Sequence, residues 1–151
     1  MDLIGNWTIP NLPSEASQAP RSYNAVVSCK ISKLTPAFIR ELDGAVTSYG
    51  PNTIGILANP HNCSRGIQEH LLSARQPLAF CTVRPYGDGG YLEQFVWNSA
   101  ASDLLPKVGV KTRHVTTGEA TESRVVLTVD GHEIGSSALS LKSVRKRKRK
   151  L

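Results

Sequence analysis

Lys142, Arg145, Lys146, Arg147, Lys148, Arg149 and Lys150 put seven cationic side chains within nine residues, one residue before the end of the chain. Charge at this density binds phosphate. Each contact releases condensed counterions, and the run has no geometry for telling one base from another. If all seven engaged a single strand of nucleic acid, the log–log salt slope would be about −5. A compact Lys/Arg run is also what a nuclear-import receptor binds. Of the 18 Lys and Arg in the chain, the other 11 stand against 12 Asp and Glu. The body is therefore near neutral and the cationic run carries the net charge.

A second cationic set is Lys107, Lys111 and Arg113. The two-residue period of a strand puts them on one face, with Arg124 on the next strand beside them. Such a stripe either grips a nucleic-acid backbone or forms a solvated outer face. Tyr86, Tyr91, Phe95 and Trp97 cluster in the sequence, and bases stack on rings. Tyr91, Phe95 and Trp97 fall on one strand face, however, and core burial explains that face more simply.

Other reactive residues are poorly spaced for chemistry. A zinc site drawn from His61, Cys63, His70 and Cys81 has one tight pair, and its second pair spreads over two elements. No C-x-x-C occurs. Cys63 with His61 or His70 is the one pairing suited to a nucleophile and its base. His132-Glu133 lacks the second histidine of H-E-x-x-H, and the glycines from Gly87 to Gly90 match no phosphate-loop spacing. No catalytic residue, metal ligand or cofactor is expected, and the chain reads as non-enzymatic.

At 151 residues, 40% of them apolar, the chain suits one domain with a real core. Three cysteines cannot close a disulfide set, which favours a reducing compartment. No secretory leader is evident, and no apolar stretch nears the roughly 18 residues of a membrane span. Residues 1–21, interrupted by Pro10, Pro13 and Pro20, read as a flexible arm. Residues 22–141 read as one globular domain, and residues 142–151 as a disordered polybasic tail.

Within the domain, residues 22–33 alternate as a strand. Thr35-Pro36 opens a helix that Gly50-Pro51 stops. Residues 53–58 form a buried-type strand, and Ser64 caps a second helix carrying Ile67, Leu71 and Leu72. Residues 78–84 and 91–97 suit a hairpin. Alternating strands follow near 107–114 and 124–129, and Asp130-Gly131 turns the chain into a strand over 132–144. The expected fold is α+β: a mainly antiparallel sheet with two short helices in the first half.

A compact body with an arm at one end and a polybasic extension at the other resembles small RNA-virus proteins, namely capsid subunits, movement proteins and silencing suppressors. The expected function is non-enzymatic binding of nucleic acid, RNA rather than DNA. The body would supply self-association or partner contacts, and the protein would act in the nucleus and cytoplasm, without secretion or membrane contact. Two alternatives stay open. One is a protein-interaction module whose tail is only an import signal. The other is a small α+β enzyme with a pocket between helices and sheet, where His61, His70 or His114 acts.

Overall fold

The computed structural model describes residues 2–85, 87 and 90–134 of the chain. The cationic run and the expected tail, Tyr86 and the distal part of the expected last strand lie outside these residues.

The expected arm is a strand. β1 (Asp2–Ile9) pairs antiparallel with β2 (Arg21–Cys29), from Asp2 opposite Ser28 to Ile9 opposite Arg21. The three prolines punctuate only the connection, which includes a 3-10 turn at Pro13–Glu15. Residues 2–9 are free of proline, and Trp7 and Ile9 join the core, which offsets the entropy of ordering them.

The expected antiparallel sheet is mixed. β2 lies parallel to β3 (Thr53–Asn59) and β3 parallel to β4 (Leu78–Val83), while β5 (Leu92–Trp97) returns antiparallel to β4. The spatial order is β1-β2-β3-β4-β5. Parallel neighbours need crossovers, which α1 (Pro36–Tyr49) and α2 (Arg65–Ser73) supply. The strand–helix–strand–helix–strand order of residues 21–83 carries that signature. The hairpin of β4 and β5 forms as the sequence indicates.

Each helix follows from its sequence. Thr35 is extended and Pro36 opens α1, which buries Ile39, Leu42 and Val46. Ser64 caps α2 by accepting from the Ile67 N–H, and α2 buries Ile67 and Leu71. A third helix, α3 (Ser99–Leu104), was not expected; the Asn98 side chain caps it by accepting from the Ala101 N–H.

The chain then forms a separate antiparallel sheet of β6 (Val108–Thr117), β7 (Ala120–Val129) and β8 (His132–Glu133). Asp130 and Gly131 both take positive φ, 52° and 78°, as a two-residue hairpin turn of this hand requires.

Two apolar clusters hold the layers together. On one face of the mixed sheet Val26, Leu57 and Phe80 pack under α1 and α2. On the other, Ile9, Ala25, Ile54 and Ala79 meet Ala101, Leu105 and Val129. Burial of a side chain such as Phe80, wholly excluded from solvent, contributes about 1.5–3 kcal/mol. Helix α1 approaches β3 so closely that a Cβ on Gly55 would stand 2.7 Å from Val46 Cγ2.

Candidate ligand-binding site

Side chains alternate across a strand, so the residues two positions beyond Val26, Leu57 and Phe80 face the helices as well. Those residues are Ser28, Asn59 and Thr82, followed on β5 by Gln94. Asn59 pairs with Thr82 and Thr82 with Gln94. The Lys30 N–H donates to Ala58 O at 3.0 Å, which continues the β2–β3 ladder and sets Lys30 beside Asn59. A polar row, Lys30–Asn59–Thr82–Gln94, therefore crosses the carboxyl ends of three parallel strands and the adjoining start of β5.

Asp2 stands opposite Ser28 at the same end of the sheet. Cross-strand partners share a face, so a carboxylate, a hydroxyl and the Lys30 ammonium group are all on the helix side. Lys30 Nζ lies 5.1 Å from the centroid of the Phe38 ring.

Two loops rise from this row. Residues 30–35 lead to α1 and residues 60–64 to α2. Between them is a cleft of about 390 Å³ lined by Lys33, Leu34, His61, Asn62 and Ser64. Its size suits a small ligand. The cleft sits outside the carboxyl ends of the parallel strands, the side on which open α/β sheets bind ligands, although the order β2-β3-β4 has no reversal to open a crevice between strands. The amino end of α2, capped by Ser64, adds partial positive charge. A second cavity, near Ile9, Tyr23 and Lys107, measures about 20 Å³, room for roughly one water.

The residues expected from sequence are placed differently. His61 lines the cleft; His70 is exposed on α2, and His114 sits on β6 with its Nδ1 3.1 Å from Ser123 Oγ. Cys63 does not pair with a histidine in the described hydrogen bonds: its N–H donates to Gln94 Oε1 and its Sγ to Ser64 O. Burial raises the Cys63 thiol, and pushes that of Cys81 up to about 12 with help from Cys29, so neither favours the thiolate. Among the described residues no three His, Cys, Asp or Glu side chains form a group able to hold a metal ion.

The expected cationic stripe is largely neutralised. Lys107 pairs with Glu15 and lies 3.8 Å from Asp130; Lys111 Nζ donates to Gly131 O; Arg113 pairs with Glu133. Arg124 contacts Glu122 at 3.2 Å and stacks over the Tyr91 ring at 4.5 Å. Phe95 and Trp97 pack on the second cluster, as core burial implied.

Asp2, Lys30, Lys33, Asn59, Thr82 and Gln94 were not singled out from the sequence. Their signal was present, a polar residue two places past the apolar core residue in each of several strands, but it becomes a row only once the register is known.

Residues 1–112 match the family of Required for respiratory growth protein 7. The chain belongs to that family. The match takes in the mixed sheet, helices α1, α2 and α3 and the cleft, and stops short of the cationic run. An uncharacterized mitochondrial protein of Schizosaccharomyces pombe is 35% identical over 113 residues, which is 74% of this chain and 43% of that protein. The chain thus spans less than half the length of this relative. No solved structure matches. These findings overturn the expectation of a viral nucleic-acid-binding protein of the nucleus and cytoplasm: the family is one of respiratory growth and the relative is mitochondrial. The cationic run misled because its charge says nothing of compartment.

Proposed function

We propose that this family member is a mitochondrial protein serving respiratory growth, and that it binds a phosphate-bearing ligand in the cleft at the carboxyl end of its mixed sheet. The observation that carries this reading is the lining of that cleft: Lys33, His61, Asn62 and the Ser64 cap of α2, with Lys30 in the adjoining row. Lysine supplies a compact positive charge, and the helix end supplies oriented N–H groups. Isothermal titration with inorganic phosphate and with a nucleoside monophosphate tests the reading. Saturable binding that Lys33→Glu weakens is expected; absence of binding to either would refute it. In cells, Lys33→Glu in the full-length protein is expected to impair growth on a non-fermentable carbon source while sparing growth on glucose.

A second reading, phosphate-ester hydrolysis, is favoured by Asp2 standing opposite Ser28 on the face that carries Lys30. A carboxylate can accept a proton from water while lysine neutralises the phosphate. Turnover of bis(4-nitrophenyl) phosphate, lost in Asp2→Asn and in Lys30→Met, would support it. A wild-type rate equal to that of Asp2→Asn would remove it.

A further inference from the structure

Asn59 is 2% exposed, and its carboxamide touches both lips of the cleft. Its Nδ2 donates to Lys30 O at 2.7 Å and to Ser32 O at 3.0 Å, both in the lip that carries Lys33. Its Oδ1 accepts from the His61 N–H at 2.8 Å, in the lip that carries His61, Asn62 and Ser64. Both amide protons are used on one loop and the oxygen on the other, a division only a carboxamide provides. A carboxylate in its place would lack both donors and face two carbonyl oxygens. A hydroxyl has one proton for two acceptors. A leucine of similar size would leave all three backbone groups without their partner.

We propose that Asn59 is the positioning residue of the cleft: through its three hydrogen bonds it fixes the Lys33 lip against the His61 lip, so that the Lys33 ammonium group and the polar groups of the facing lip stand at their binding separation before a ligand enters. The inference rests on the phosphate reading above. Neither lip is a regular element, and each ends at a helix start, so a single buried group bonded to both sets their spacing. Pre-organisation of this kind appears in affinity, because an unheld lip must be ordered when the ligand binds. Asn59 acts through Lys33 and His61 and need not touch the ligand.

The test compares wild type, Asn59→Asp and Asn59→Ala, each studied well below its own melting midpoint. Titration with inorganic phosphate is expected to show affinity weaker by about tenfold or more in both variants. Backbone ¹⁵N relaxation in the ligand-free protein is expected to show greater mobility in both lips together, at residues 31–34 and 61–64, while Leu57 and Phe80 stay rigid. A lower melting midpoint with unchanged phosphate affinity would overturn the inference and leave Asn59 a purely structural residue. If wild type does not bind phosphate, the phosphate reading fails on its own. The relaxation data then decide the positioning role: added mobility confined to one lip contradicts it, and added mobility in both upholds it.

Discussion

Gln94 Oε1 lies 3.0 Å from the Cys63 amide nitrogen and 3.3 Å from Thr82 Oγ1, so a side chain on β5 holds the loop that leads into α2. The Thr82 hydroxyl also lies 3.4 Å from His61 O, and its one proton serves one of these two acceptors at a time. With Asn59, this makes the last polar row of the sheet the support of the cleft. Replacing Gln94 by Leu strands the Cys63 N–H, and a loss of about 1–2 kcal/mol is expected in chemical denaturation. Faster amide exchange at residues 61–64 should accompany it.

Asn98 ties three elements at the opposite end of the sheet. It is fully buried; its Oδ1 accepts from the N–H groups of Leu78 and Ala101, and its Nδ2 lies within 3.3 Å of Leu71 O, Ala74 O and Gln76 O. Asn98→Ala removes the α3 cap and leaves several buried backbone groups unpaired. A destabilisation of about 2–4 kcal/mol is expected by urea denaturation, with the cleft's phosphate affinity unchanged in the folded fraction.

Gly55 leaves room for α1 to pack closely on β3. An added Cβ would also stand 2.8 Å from Leu42 Cγ and Leu78 Cδ2, all inside a packed cluster. Gly55→Ala should cost about 1–3 kcal/mol through overpacking, and Gly55→Val more. Paired melting curves check the order.

The first half of the fold was more legible in the sequence than its topology. The Thr35-Pro36 start, the Ser64 cap and the alternation over residues 22–29 each mark their element through local chemistry. Direction of pairing is not local: β2 and β3 are parallel because α1 returns the chain over the sheet, and nothing within either strand declares it. Pro10, Pro13 and Pro20 give residues 1–21 the local signature of an arm, whereas Trp7 and Ile9, whose partners lie on other elements, hold residues 2–9 in the sheet. The cleft was hidden for the same reason. Lys33, His61 and the row beneath them come from separate segments, whereas the cationic run is contiguous and therefore conspicuous.

Acid should loosen the link between the β1–β2 connection and the second sheet. The Lys107 hydrogen bond holds the Glu15 carboxyl below its ordinary value of 4.5; burial opposes this, and the charges of Lys107 and Arg21 and the Leu12 backbone reinforce it. A carboxyl that titrates lower when folded stabilises fully above its unfolded value, and that contribution is lost as pH falls through the folded value. Lys107→Met should therefore flatten the acid limb of stability between about pH 6 and pH 3, relative to wild type. Parallel acid limbs in the two proteins would contradict the pairing.

The most direct test of the central claim is a ¹⁵N-resolved titration of the protein with inorganic phosphate. The cleft account predicts saturable shifts concentrated at Lys33, His61, Asn62, Ser64 and the first turn of α2, abolished in Lys33→Glu. Absence of shifts, or shifts confined to β6 and β7, would contradict it.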